Sequence, residues 1–406
     1  MKYEPMHKIY YKQPVEWLRI LDNRRNSECS ISLPIPIHEY NRRNAYGAFF
    51  MYHPVLVTLL LSLEGKRSAF ITLVSEVPTV LISHVINAFL STEIKASNDI
   101  EGVYSSRREI QEAIQNREND KLRFSSIISK YKAILENPHG FTFESSPDIR
   151  ALFEDIISSE IDDKNQPDGV VFRRDSVDIV NHQGKVIHRG TLPESHIIQE
   201  MDQALSVLND EMLVLPIRVA LFHYYFGYIH PFYDGNGRTN RFISTAYLAK
   251  YFHPLVALRL SAVINNNKKE YYDAFKMTTA EINGGDLTYF IITFISLIEK
   301  TIDNATELLN KRINRLSEEK QKLEQFFSTN EITDPLLREI YILLLQARLF
   351  SLGVGISKAE IMNACGKSRG TIFTRFKQIP KDHLIKVKYG RTESYMLKTS
   401  ILDSKE

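Results

Sequence analysis

His230–Arg241 reads HPFYDGNGRTNR, and its reading decides what the rest of the chain is for. An apolar run with Ile217, Ala220, Leu221, Tyr224 and Tyr225 precedes it, and another with Phe242, Ile243, Ala246, Tyr247 and Leu248 follows, both at helical spacing. The segment is therefore expected to be a loop that opens into a helix N-terminus. Gly235 and Gly237 around Asn236 let consecutive backbone N–H groups turn toward one point, and a helix start adds its unpaired N–H groups and positive dipole end. Arg238 and Arg241 are three apart, share a helix face, and can point at the same anion.

Around that anion site the segment places other chemistry. Asp234 is a carboxylate suited to Mg²⁺ bridging phosphate oxygens, and His230 is an imidazole able to accept a proton from a hydroxyl. Taken singly, each residue has a bland reading: a packed histidine, a polar turn, arginines on a solvated face. Together they are the parts of a phosphate-bond transferase that needs no Walker lysine. Metal-protease HExxH spacing and the GxSxG nucleophile elbow are both absent from the sequence.

The segment resembles the signature of Fic proteins, HxFx(D/E)GNGRxxR, at every fixed position: His230, Phe232, Asp234, Gly235, Asn236, Gly237, Arg238 and Arg241. The resemblance implies a mainly α fold with a β-hairpin flap and transfer of AMP from ATP to a protein Ser, Thr or Tyr hydroxyl. The intact GNGR favours this over the kinase-like Doc branch, in which those positions are altered. By the same resemblance His230 is the base, Asp234 holds Mg²⁺, and Gly235, Asn236 and Gly237 cradle the phosphates. Arg238 then faces the leaving pyrophosphate, Arg241 the γ phosphate, and Phe232 anchors the loop. Transfer of UMP, phosphocholine or phosphate, and removal of the modification by hydrolysis, stay open.

Further similarities lie on either side. Val171–Pro193, VFRRDSVDIVNHQGKVIHRGTLP, is similar to the family's flap, on which a target docks by strand addition; its two β-prone runs flank Asn181–Gly184. Tyr271 and Tyr272 are positioned to line an adenine pocket, although adjacent residues cannot both face it. Ser97–Gly102, SNDIEG, matches the inhibitory pattern (S/T)xxxE(G/N). That match implies a helix over 91–106 from which Glu101 pairs with Arg241 and takes the cation that the γ phosphate needs.

The wider chain has 406 residues, 43% hydrophobic, 11% aromatic and 25% charged, which excludes disorder and points to two or three domains. Fifty-one Lys and Arg against 49 Asp and Glu leave +2, so no global field selects nucleic acid or membrane. The longest apolar stretches are broken by charges before they reach bilayer length. No secretory signal is read at the N-terminus, and Cys29 and Cys365 are too far apart in sequence to indicate a disulfide framework. A cytoplasmic location is the default expectation.

Four regions are expected: an N-terminal helical region (1–90) with an irregular arm to Pro54, a core (91–300), a long connecting helix (301–333) and a winged-helix-like domain (334–406). The long helix is read from apolar positions between Glu299 and Phe327. The last region reads as helices at Asp334–Phe350, Ser357–Ala364 and Ser368–Ile379, then strands at Leu384–Val387 and Ser394–Leu397. Between Lys358 and Lys398 it carries ten Lys or Arg against three acids, a net of +7. It is therefore a candidate DNA-binding module, with Ser368–Ile379 for a major groove and Lys388 and Arg391 as a wing; protein docking is the competing use. Self-modification and a homodimer through the long helix are further expectations.

Overall fold

The computed structural model describes residues 3–75, 77, 79–115, 122–180, 183–351, 353–389 and 392–402. Asn181 and His182 of the expected hairpin turn, and Arg391 of the expected wing, lie outside the described residues. The fold is mainly α. The chain divides into two compact units, residues 1–68, 96–104 and 129–302, and residues 69–95, 105–128 and 303–406.

The first unit is built around two consecutive helices, Leu215–Ile229 and Asn236–Tyr251. Nearly every side chain of both is buried, from Pro216 to Ile229 and from Asn236 to Ala249. Helices buried on all sides lie at the centre of a core rather than on its surface, and the second carries its polar residues, Arg238, Asn240 and Arg241 among them, buried there too. The loop His230–Gly235 that joins them is thus suspended between two fixed ends. Phe232 anchors it, with its ring stacked on Phe153 at 4.0 Å between centroids and edge-on to Phe172 at 5.4 Å.

The N-terminal arm is more regular than its prolines imply. After helices Met6–Lys12 and Trp17–Arg25 come two antiparallel ribbons, Ser30–Ser32 with Phe49–Met51 and Ile37–His38 with Ala45–Tyr46. Strands of two or three residues leave no alternation to read. The arm closes on the loop before the long helix: Trp17 Nε1 donates to Ile282 O at 2.8 Å, Phe49 N to Gly285 O at 3.0 Å, and Leu287 N to Phe49 O at 2.8 Å. Met6, Ile9, Trp17, Leu21 and Phe49 form its buried cluster.

Three helix boundaries differ from expectation. The helix expected over 91–106 runs Thr79–Ile100; Gly102 at φ +72° ends it, while Glu101 N and Val103 N both donate to Asn98 O at 3.0 Å. The long helix runs Thr288–Thr329. Its first turns bury Phe290, Ile291, Phe294, Ile295, Leu297 and Ile298, so no polar stripe marks its start. The helix expected to reach Ile379 spans only Arg369–Phe376.

In the second unit, helices Pro335–Phe350, Lys358–Cys365 and Arg369–Phe376 pack with a three-stranded antiparallel sheet. Thr392–Leu397 is its central strand, flanked by Leu384–Tyr389 and by Ile356–Ser357, a two-residue strand that was not expected. Asp334 caps the first of these helices by accepting from Leu336 N and Leu337 N at 2.9 and 3.1 Å. Among the described residues no helix is long and apolar enough to cross a membrane.

Trp17 is the only tryptophan in the chain, so its emission reports on the arm. Leu21→Ala, which removes a 2% exposed side chain beside it, is expected to destabilise that region by about 3 kcal/mol. A lower urea midpoint of the Trp17 fluorescence transition checks this.

Candidate active site

The loop takes its shape from its own amide side chain. Asn236 Oδ1 accepts from Phe232 N at 2.9 Å and its Nδ2 donates to Phe232 O at 2.7 Å. The side chain acts here as a second strand would, closing residues 232–236 into a ring. Its amide is therefore occupied, and only its main chain remains for the phosphate role expected of it. Gly235 sits at φ +79°, where a side chain is strained, and a Cβ there would lie 2.6 Å from Ile157.

The preceding residue, His230, ends its helix in the left-handed region at φ 53°, a conformation that costs a non-glycine residue roughly 1–2 kcal/mol. Arg173, which sequence reasoning did not single out, holds it there. This fully buried guanidinium donates from Nε to His230 O at 2.9 Å, from Nη2 to Thr191 O at 2.9 Å and Ile229 O at 3.3 Å, and from Nη1 to Asp175 O at 2.7 Å. Its main-chain N donates to Pro231 O at 3.3 Å. Burial lowers its pKa to about 10, which still leaves it charged at neutral pH. The only signal in the sequence was a paired arginine at the start of the flap.

The His230 ring is set by a carbonyl. Its Nδ1 lies 3.2 Å from Gly227 O, and a carbonyl only accepts, so Nδ1 carries the hydrogen and Nε2 the lone pair. Burial pushes its pKa down to about 4, against the smaller opposing effect of the Gly227 bond. At neutral pH the imidazole is thus uncharged and basic at Nε2.

Beyond the loop, Arg241 is 1% exposed and answered by the segment that ends the Thr79–Ile100 helix. Its Nε donates to Ser97 Oγ at 3.1 Å, Nη2 to Ser97 O at 2.9 Å, and Nη1 to Glu101 Oε1 at 2.9 Å. Burial works against the Arg241 charge more than any other single effect, but the Glu101 carboxylate together with Tyr271 and Tyr272 leaves its pKa raised. A Cβ on Gly237 would lie 2.0 Å from Glu101 Oε1. The Glu101 carboxylate thus rests against the first turn of Asn236–Tyr251, at the N-terminal end where a helix attracts anions.

Arg238, also buried, lies 3.4 Å from Glu160 and 3.8 Å from Asp234. Its Nε has no partner among the described residues. Glu160 is a second residue missed by sequence reasoning, since 78 residues separate it from its partner. Asp234 is half-exposed, its side chain 45% accessible. One accessible carboxylate fits Mg²⁺, which takes one or two protein carboxylates and completes its shell with phosphates and water. Among the described residues no group of three His, Cys, Asp or Glu could hold a metal alone.

The two tyrosines separate. Tyr271 is buried, its hydroxyl 2.7 Å from Nε2 of the fully buried His223, whose Nδ1 is 2.8 Å from Ser244 Oγ. Tyr272 is 50% exposed. Only Tyr272 therefore has a surface open to a ligand. The flap is a two-stranded ribbon, Asp178–Val180 with Val186–Arg189. Its first strand is shorter than expected because Glu194 captures Val171 N and Phe172 N at 2.7 and 3.0 Å. His188 ties it down through Nε2 to Tyr228 O at 2.6 Å.

Residues 145–248, which include the loop, the first central helix, most of the second and the flap, match the Fic/DOC family model. Over these residues the chain is similar to the Fic/DOC family. Two curated relatives are similar over this region, both named protein adenylyltransferase Fic. That of Nematostella vectensis is 33% identical over 112 residues, 26% of this chain and 24% of the relative. That of Drosophila melanogaster is 29% identical over 181 residues, 43% of this chain and 34% of the relative. The chain thus spans about a quarter to a third of the length of these relatives. A solved Fic family protein from Desulfovibrio desulfuricans G20 shares the fold, with a TM-score of 0.51 at 19% identity, covering 86% of this chain and 97% of that one.

The environment of His230 has a measurable consequence. Its pKa is about 4 folded against an ordinary 6.5, so between these values unfolding takes up a proton. Its contribution to stability is therefore complete above about pH 6.5, falls as pH drops toward 4, and changes no further below that. In spectra of ¹³C-histidine-labelled protein, with His230→Ala for assignment, the His230 signal is expected not to titrate between about pH 7 and 5.5.

Proposed function

We propose that this chain is a protein adenylyltransferase, moving AMP from ATP to a Ser, Thr or Tyr hydroxyl of a protein, and that Glu101 restrains it. The observation that carries the reading is the meeting of three groups: neutral His230, the glycine-flanked start of Asn236–Tyr251, and buried Arg241 already paired with a carboxylate. The relatives named protein adenylyltransferase Fic support ATP as the substrate.

In this reading the phosphates lie over Gly235–Gly237 and Arg238, and Asp234 would hold Mg²⁺, which neutralises phosphate charge when bound. The target strand adds to the flap, with its hydroxyl toward His230. The hydroxyl oxygen attacks the α phosphorus, its proton passes to Nε2, and the bond to the leaving pyrophosphate breaks. Arg173 is a positioning residue, fixing the main chain from which the imidazole projects.

Restraint follows from competition for one cation. Arg241 Nη1 is held by Glu101 at 2.9 Å, and the same carboxylate crowds Gly237. A γ phosphate needs both places, so bound ATP is held away from the reactive pose until Glu101 moves.

Glu101→Gly is expected to raise incorporation of labelled AMP into the protein itself or into added proteins at least tenfold. Mass spectrometry of the modified protein identifies the group transferred; no increase sinks the restraint. Glu101→Gly also leaves Arg241 buried without its anion, so ATP is expected to raise the melting temperature of this variant more than that of the wild type. His230→Ala is expected to lower transfer by at least a hundredfold in the Glu101→Gly background. Its ATP affinity, read by calorimetry, changes less than threefold because the phosphate-binding groups stay in place.

A further inference from the structure

The second unit contains a surface that the proposed transferase chemistry does not use. Helices Lys358–Cys365 and Arg369–Phe376 are joined by the short turn Gly366–Ser368, in which Gly366 is at φ +61°. Ser368 Oγ accepts from Thr371 N at 3.4 Å at the start of the second helix. Ile372, Phe376 and Ile379 bury one side of this segment. The other side presents Lys367, Gly370, Thr371, Thr374, Lys377 and Gln378, all exposed at helical spacing. Two helices with such a turn can place the second in a duplex groove.

The basic residues here divide into two groups. Lys358 lies 4.5 Å over the rings of Phe373 and Phe376, and Arg375 is paired with Asp334; both serve the module itself. Lys367, Arg369, Lys377 and Lys388 are exposed, Arg369 with its guanidinium 5.2 Å over the Phe373 ring. Two of the module's acids are engaged, Glu360 with Ser357 N at 2.8 Å and Glu393 with Lys386 at 2.6 Å. With Lys386 consumed by Glu393, what reaches solvent among the described residues stays strongly basic, six Lys or Arg against Asp382.

Gly370 adds a separate observation. It sits in the first turn of an exposed helix, where it adds backbone freedom without a side chain to pack. A Cβ there would meet nothing within 4 Å, so nothing inside the protein calls for the missing side chain. A bare backbone on a polar, basic helix face leaves room for close approach from outside.

We propose that helix Arg369–Phe376 and the paired strands Leu384–Tyr389 and Thr392–Leu397 form a winged-helix element that binds double-stranded DNA, the helix in the major groove and Lys388 on the phosphates. Four outward cations displacing counterions give a slope of about −3.6 in log affinity against log salt, or roughly a 100-fold loss between about 50 and 200 mM.

The test is fluorescence anisotropy of the full chain with a labelled duplex of mixed sequence. Binding at low salt with that steep slope is expected. Lys377→Ala is expected to reduce the slope by about 1, while Lys311→Ala, an exposed lysine paired with Glu307, leaves it unchanged. Gly370→Gln, which improves helix propensity, is expected to weaken binding at least tenfold while thermal stability holds or rises. No binding at low salt overturns the proposal, as does wild-type affinity in both Lys377→Ala and Gly370→Gln. Displacement of the duplex by an equal charge of polyglutamate also overturns it, in favour of an acidic protein surface.

Discussion

The two hydrogen bonds between Asn236 and the main chain of Phe232, at 2.9 and 2.7 Å, fix a loop that has no secondary structure of its own. With the ring closed, Gly235 must take a left-handed turn, Phe232 must point down onto Phe153, and the next helix must begin at residue 236. Its first turn then lies against the Glu101 carboxylate at Gly237. A side chain that bonded elsewhere would leave Phe232 N and O unpaired in a buried setting, at a cost of about 1–3 kcal/mol each. Loop geometry and core packing are therefore one constraint.

Three buried arginines surround this loop, and each is neutralised differently. Arg173 is satisfied by main-chain carbonyls, which hold its position without competing charge. Arg238 has Glu160 and a more distant Asp234, and keeps one N–H unpartnered among the described residues. Arg241 has Ser97 and the Glu101 carboxylate. Guanidinium groups remain charged even when buried, so the differences lie in what can replace their partners. Carbonyls of the loop cannot leave. Carboxylates are carried by side chains on turns that follow helices, Glu101 after Thr79–Ile100 and Glu160 after Ser146–Ile156.

Against this concentration of cations, the histidine stays neutral. Burial lowers its pKa to about 4, and its single hydrogen is assigned to Nδ1 by Gly227 O. An imidazolium there would oppose both the fold and the proton acceptance that the proposed chemistry asks of it.

Local features were legible in the sequence because they depend on residues close together. The apolar periodicity around residues 215–250, the glycines of the loop and the mainly helical fold all follow from spacing and propensity. The SNDIEG pattern pointed to Arg241 although its helix proved to end at Ile100. Arg173 and Glu160 were not legible, since what makes them matter is a contact 57 residues away for one and 78 for the other. Nor could spacing decide between Tyr271 and Tyr272, or show that the N-terminal arm forms ribbons. Sequence alone determined which chemical groups the loop carries and in what order. Tertiary packing decided which of them are buried, and therefore which nitrogen of His230 is basic and which carboxylate meets each arginine, because burial and partner choice are set by chain segments that sequence neighbours do not contain.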